Sequence, residues 1–378
     1  MTLPLDGLLV ADFSRVLAGP LAAATLADLG AVVVKVERPG SGDDTRHWGP
    51  PWTESSSSYF ECANRSKRSV ELDLADPADL VLARRLAARC DVLVENFRTG
   101  TLERRGLGYT DVAAVNPAVV YASITGFGSR GGADLAGYDF LVQAVGGLMS
   151  ITGDEEPTKA GVALVDVLTS KDAVVAILAA LRAREALGRG QHVEVNLLSS
   201  LLGSLANQAS AYLTTGELPR RMGNRHPSIA PYETLAARDG HVAVCCGNDQ
   251  QFGRLVEVLG VPGLSRDPRF ATNADRVAHR DDLVRVLEAA LAADTVDGWT
   301  QRLGAAGVPA GGVGSVGDAF DLAERLGLRP TVAVGDDRPR QVRSPLTFSA
   351  TPITGYAAPP LLGEHNDDVR RWLTKEID

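Results

Sequence analysis

The tightest constraint on the fold is an alternation of short apolar runs with helical stretches that begins near the N-terminus. Leu8-Leu-Val-Ala-Asp-Phe13 ends at the turn-like Ser14-Arg15, the pattern of a buried strand. Ala18–Gly30 follows in helix-forming residues, with Pro20 near its first turn and Gly30 past its end. Ala31–Glu37 is again a strand. Strand, helix and strand at this spacing make a βαβ unit, whose crossover leaves the two strands parallel. The pattern recurs with strands at Ser69–Leu74, Asp91–Asn96 and Ala118–Thr125 and helices at Pro77–Cys90 and near Thr101–Leu107. This part of the chain therefore reads as a doubly wound α/β domain.

Farther on, His192–Asn196 is a strand and Leu197 to about Thr214 a helix. Leu218-Pro-Arg-Arg-Met-Gly-Asn-Arg-His-Pro227 is a basic, turn-rich connector. Tyr232–Cys246 reads as a hairpin around Asp239-Gly240, with helices near Gln251–Leu259, Arg280–Ala293 and Val296–Ala306. The C-terminal segment is polar and proline-rich before a short helix around Asn366–Leu373. At 378 residues two domains fit the length. The expected division is a large domain over 1–215, a linker over 216–227, a smaller α+β domain over 228–325, and a return to the large domain over 326–378.

Several function classes drop out. A net charge of −9 argues against general affinity for nucleic acid or anionic membranes. The four cysteines show neither CxxC spacing nor a disulfide framework, and no HExxH accompanies them, so no metal is expected and a reducing cytoplasm fits best. Neither a signal peptide nor an apolar run of bilayer-spanning length is present in this sequence. Gly126-Phe-Gly-Ser-Arg-Gly131 matches GxGxxG, yet Gly132–Gly137 intervenes before the next helical pattern at about Tyr138, so a dinucleotide site is rejected. No P-loop occurs.

Asp166 stands alone in Gly161-Val-Ala-Leu-Val-Asp-Val-Leu-Thr-Ser170, just ahead of a long run of helix formers from Lys171. An aspartate there has two readings. It is a helix cap, or it is an anion held ionised by the helix N-terminus and available as a nucleophile.

Seven stretches occur in order: Asp12-Phe-Ser-Arg-Val-Leu-Ala-Gly-Pro20, Lys35-Val-Glu-Arg-Pro-Gly40, Asn64-Arg-Ser-Lys-Arg-Ser-Val70, Glu95-Asn-Phe-Arg-Thr-Gly100, Gly137-Tyr-Asp-Phe140, the Asp166 run and Gly223-Asn-Arg-His-Pro227. Together they resemble the class III coenzyme A transferase family, which includes formyl-CoA transferase-like and carnitine CoA-transferase-like enzymes. The resemblance implies a Rossmann-like large domain and a homodimer of two interlocked chains. It also implies an acyl-CoA:carboxylate CoA-transferase, with coenzyme A as substrate and product, an acyl-CoA donor and a carboxylic acid acceptor. Asp166 aligns with the catalytic aspartate, which forms covalent anhydride and aspartyl-CoA thioester intermediates. Val16, Leu17, Arg38, Leu72, Asn96, Phe97, Arg104 and Tyr138 align with cofactor-contacting positions, and Arg98 and Arg105 are weaker candidates. Lys67 and Arg68 read as surface charges.

Two departures bear on the substrate. Formyl-CoA transferase-like members carry glutamine where Leu17 stands, and a glycine run where this chain has Cys245-Cys-Gly-Asn-Asp-Gln250. Leu17 offers no hydrogen bond to a small acid, which favours a larger or more apolar acyl group. The main alternative is an α-methylacyl-CoA racemase-like epimerase, which needs an acid and a base flanking the α-carbon. The family's racemases use a histidine at the position of Tyr138, and a phenol that ordinarily titrates near 10 replaces it poorly. A non-catalytic CoA-binding protein is the remaining reading.

Overall fold

The computed structural model describes residues 2–375; residue 1 and residues 376–378 of the expected domain ranges lie outside them. In chain order the elements are β1 (Leu9–Asp12), α1 (Ala18–Asp28), β2 (Val32–Glu37), α2 (Ser58–Glu61), β3 (Lys67–Glu71), α3 (Pro77–Arg89), β4 (Val92–Glu95), α4 (Tyr109–Val115), β5 (Val120–Thr125), α5 (Asp139–Val145), α6 (Leu148–Ile151), α7 (Leu164–Leu187), β6 (Gln191–Asn196), α8 (Leu197–Ser204) and α9 (Ala206–Thr215). There follow β7 (Tyr232–Ala236), β8 (His241–Cys245), α10 (Asp249–Val258), α11 (Asn273–Ala278), α12 (Arg280–Leu291), α13 (Val296–Ala305), β9 (Ala310–Gly312), α14 (Val316–Arg325), β10 (Thr331–Val332), β11 (Gln341–Val342) and α15 (Asn366–Thr374).

The chain divides into two units. The larger takes in the described residues up to Met149, Lys159–Leu218 and those from Arg329 on; the smaller takes in Ser150–Thr158 and Pro219–Leu328. In the larger unit six parallel strands lie in the order β3-β2-β1-β4-β5-β6. The strand order reverses between β1 and β4, and in open α/β sheets the crevice outside the carboxyl ends of such a pair is where ligands sit.

Side chains alternate across the sheet with period two. Val10 and Val33 enter a core with Ala22 and Leu26 of α1 and Ile177 of α7. Their neighbours Ala11 and Val34 face the other way, against Leu82 and Leu86 of α3 and Val369 and Leu373 of α15. The smaller unit has an antiparallel sheet, β7-β8-β9, packed on a core that includes Phe252, Leu283, Leu287 and Trp299.

Four local expectations change. The third strand forms at Lys67–Glu71 rather than Ser69–Leu74, and Lys67 is buried rather than a surface charge. Its ammonium donates to Asp12 Oδ2 at 2.8 Å, Pro20 O at 2.8 Å and Asn64 Oδ1 at 3.0 Å. The helix expected near Thr101–Leu107 is a 3₁₀ turn at Glu103–Arg105, stopped by Gly106 at φ 64°, a left-handed conformation natural to glycine. The helix from Leu197 breaks into α8 and α9 at Ala206, whose φ is 44°. α14 was not anticipated, although Ser315 and Asp318 form a capping box readable in the sequence.

Lys67→Met fills the same space but strands the Asp12 carboxylate in the interior, so it is expected to cost roughly 3–5 kcal/mol. Urea unfolding at neutral pH reads this directly. A midpoint and slope equal to the parent's would show that the ion pair is dispensable.

Candidate active site

α7 begins without a side-chain cap of its own: its N-cap residue is Ala163, and Asp166 lies in the first turn. The cap comes from another helix. Asp139, the first residue of α5, accepts the Val165 N–H at 2.8 Å and the Asp166 N–H at 3.3 Å through Oδ1. Its Oδ2 accepts from Gln143 Nε2 at 2.8 Å, and Gln143 Oε1 in turn takes the Ala160 N–H at 2.8 Å. The capping reading of Asp166 therefore gives way to capping by Asp139.

The ionisation expected for Asp166 also changes. Burial, then the negative charge of Asp139, push its carboxyl up to about 7. Proximity to a helix N-terminus does not hold the anion down here, because a second carboxylate occupies the N–H groups that would stabilise it. Tyr59, on α2, is pushed up to about 12 by burial first and then by nearby groups that include Asp166 and Asp139.

Asp166 lines a cavity of about 210 Å³ at the carboxyl ends of the central strands. Val16, Leu17, Asn96, Phe97 and Tyr138 line it as well, joined by Arg15 and Arg98. The β1–α1 loop that delivers Val16 and Leu17 is held by side chains. Asn96 Oδ1 accepts the Arg15 N–H at 2.8 Å and Asn96 Nδ2 donates to the Arg15 carbonyl at 2.7 Å. Val16 has φ 69°, a costly conformation for a β-branched residue, and its N–H lies 3.3 Å from each Asp43 oxygen. Tyr138 precedes α5 and is 60% exposed. The first glycine of the GxGxxG pattern finds its explanation here too. A Cβ on Gly126 would overlap the Gly137 backbone, and one on Gly137 would overlap Gly126, so these glycines permit two chain segments to touch.

A second cavity of about 200 Å³ adjoins the first and shares Arg15 and Phe97 with it. Arg38, Leu72 and Arg105 line it, with Val36 and Leu74. Neither cavity alone reaches the ~300–1,000 Å³ of a typical small-molecule site; a ligand as long as an acyl-CoA would span both. Cationic and apolar groups side by side suit phosphates and a flat base. Arg104 lines neither cavity, and donates instead to Thr101 Oγ1 at 3.3 Å. Arg15, Tyr59, Asp139 and Gln143 were not singled out from the sequence. Arg15 and Asp139 nonetheless fall inside the motifs that carried the resemblance. Among the described residues no group of three His, Cys, Asp or Glu is placed to hold a metal, and no helix is long and apolar enough to cross a membrane.

The model of CoA-transferase family III matches residues 5–366. The chain belongs to this family. It is 43% identical to the succinate–glutarate CoA-transferase of Agrobacterium fabrum over 97% of this chain and 94% of that protein. It is 39% identical to the mouse succinyl-CoA:glutarate CoA-transferase over 99% and 86%. The acetyl-CoA:oxalate CoA-transferase of Acetobacter aceti is 41% identical over 87% and 84%. The crystal structure of a CAIB/BAIF family protein from Brucella suis superposes with a TM-score of 0.88 at 44% identity, covering 99% of this chain and 100% of that one. This CoA-transferase is thus an enzyme of a family whose relatives move CoA between acyl-CoA thioesters and carboxylates.

Because the folded-state pKa of Asp166 lies above its ordinary 3.8, the carboxyl contributes stability that is present below about pH 4 and lost as pH rises through about 7. Relative to the parent, Asp166→Asn should therefore gain stability between pH 4 and pH 8, by up to roughly 4 kcal/mol at ~1.36 kcal/mol per pKa unit. Urea titrations of both proteins at the two pH values check this; a pH-independent difference would return Asp166 to an ordinary carboxylate.

Proposed function

We propose that this enzyme transfers CoA from an acyl-CoA thioester to a free carboxylic acid through covalent intermediates on Asp166. The observation that carries the reading is the half-buried Asp166 carboxylate on the wall of one cavity, beside a second cavity lined by Arg38, Arg105 and apolar side chains.

In the proposed sequence an Asp166 oxygen attacks the thioester carbonyl, the C–S bond breaks, and CoA leaves as thiolate. The thiolate then attacks the aspartyl carbonyl of the mixed anhydride, releasing the donor acid as carboxylate and leaving an aspartyl-CoA thioester. The acceptor carboxylate attacks that thioester and displaces the thiolate a second time. Attack of the thiolate on the acceptor's acyl carbon forms the product and restores Asp166. No net proton is taken up or released, and carboxylate and thiolate alternate as the only nucleophiles. A carboxylate suits the role because its anhydride and thioester adducts stay near the energy of the substrates.

The substrate proposed is a dicarboxylic acid longer than oxalate. Arg15 and Arg98 line the Asp166 cavity and supply cations for a second carboxylate, while Leu17 offers no hydrogen bond to a two-carbon diacid. The relatives named for succinate and glutarate support this choice. In the CoA-binding reading, Arg38 and Arg105 face phosphates and Leu72 and Phe97 the base, while Val16 lines the acyl end. Asn96 and Tyr138 border the acyl end, and Arg104 is left for the outer phosphate. An interlocked homodimer and a cytoplasmic location complete the proposal. Exposed apolar residues of the larger unit, Leu213 and Leu218 among them, support burial against a second copy.

Asp166→Ala should lower kcat by roughly 10³-fold or more while leaving CoA affinity in place, as expected for loss of a group used only in the chemical step. Wild-type enzyme incubated with succinyl-CoA and quenched with hydroxylamine should carry a hydroxamate in the tryptic peptide Ala160–Lys171, in which Asp166 is the sole acidic residue. Persistent transfer by Asp166→Ala, or an unmodified peptide across succinyl-, glutaryl- and butyryl-CoA, would remove Asp166 from the mechanism. Arg38→Ala should behave oppositely, raising KM for every acyl-CoA with kcat nearly intact. An unchanged KM would take Arg38 out of the CoA site.

A further inference from the structure

We propose that Asp139 is a positioning residue for the transfer, and that Gln143 fixes its orientation: the Asp139 carboxylate captures the free N–H groups at the start of α7, so that the Asp166 carboxylate faces the cavity unclaimed by its own helix. The inference rests on the assignment of Asp166 as the nucleophile.

The first N–H groups of a helix have no partner within it, and an aspartate in the first turn is the natural side chain to fold back on them. Such a fold-back would turn the Asp166 carboxylate away from a substrate and stabilise it as an anion. Here the N–H groups of Val165 and Asp166 point at Asp139 Oδ1, and that of Leu164 bonds the Val162 carbonyl. The remaining oxygen of Asp139 is held by the fully buried Gln143 one turn along α5. Gln143 cannot flip, because its Oε1 is committed to the Ala160 N–H in the segment leading into α7. Carboxylate, amide and chain segment thus form one closed set of donors and acceptors joining α5 to α7.

Asp139 acts on charge as well as direction. It is the one charged group that raises Asp166 beyond burial itself. The other charged or titratable groups around Asp166 are Tyr59 on α2, Arg15 and Arg98 across the cavity, and Tyr138 preceding α5. Arg15 and Arg98 line the same cavity, but burial and Asp139 set the direction of the Asp166 shift.

Asp139→Asn puts an amide N–H₂ against the Gln143 N–H₂ and removes the charge. Asp139→Asn with Gln143→Glu restores the donor–acceptor match with the roles reversed. The single variant should lose 10-fold or more in kcat, and the acidic limb of its kcat/KM profile should move down by about one pH unit or more, the size of effect a close like charge exerts. The double variant should recover much of kcat. A purely structural role would leave the acidic limb where it is. A folded Asp139→Asn enzyme with parental kcat and parental acidic limb would overturn the proposal, as would a double variant no better than a folded single one. Hydroxylamine trapping separates this from the parent assignment: if no hydroxamate forms on Asp166 even in the wild type, the nucleophile assignment has failed; if it forms with one pH profile in wild type and variants, only the positioning role has.

Discussion

Two lysines buried within the central sheet hold the catalytic end of the molecule in shape. Lys35 on β2 donates to the Ser14 carbonyl at 3.0 Å and to Asp43 at 2.9 Å, and Lys67 on β3 holds Asp12. Burial works against the anion of Asp43, but Lys35 and the Thr45 N–H keep its carboxyl at about 2. Nearby, Glu37 grips Arg46 through two bonds of 2.8 and 2.7 Å, with the guanidinium over the Phe60 ring. Buried pairs of this kind seldom add stability over an apolar replacement. What they supply here is direction. Asp12 takes the Ser14 N–H, Asn96 both backbone groups of Arg15, and Asp43 the Val16 N–H. The β1–α1 loop is thereby fixed with Val16 left-handed, and the wall of the Asp166 cavity follows from it.

That network explains what was and was not legible in the sequence. Apolar periodicity locates β1, α1, β2, α3, β4 and β5 closely, because each is decided by which residues leave water. The start of β3 departs from the apolar pattern because Lys67 is buried against acceptors that include Asp12 and Pro20, fifty-five and forty-seven positions away, and no local pattern announces such partners. Asp166 lies near a helix start as the sequence implies, yet its carboxyl is raised rather than lowered for the same reason: the competing carboxylate lies on another helix. The arginines differ in kind. Arg104 and Arg105 share a 3₁₀ turn, where neighbouring side chains diverge by about 120°. Alignment to a motif therefore points at the turn, and only the backbone decides which arginine meets the cavity.

The raised pKa of Asp166 has a consequence for the proposed chemistry that goes beyond protonation. Burial and Asp139 disfavour the anion; they have no such quarrel with a neutral acid, nor with a neutral anhydride or thioester. The environment that lifts the pKa therefore also favours the covalent adduct over the free carboxylate, by the same ~1.36 kcal/mol per unit. The gain is limited by population. While the pKa stays below the ambient pH, nearly all of the enzyme keeps the reactive anion and each unit adds driving force at almost no cost. Once the pKa passes the ambient pH, each further unit removes about as much anion as it adds reactivity, the balance that places effective acid–base groups near working pH. A carboxyl at about 7 stands at that turning point in neutral solution. Burial sets the larger part of the shift, and the charge of Asp139 adds to it. A second carboxylate, already satisfied by two N–H groups and an amide, raises the first while leaving it exposed to attack a thioester.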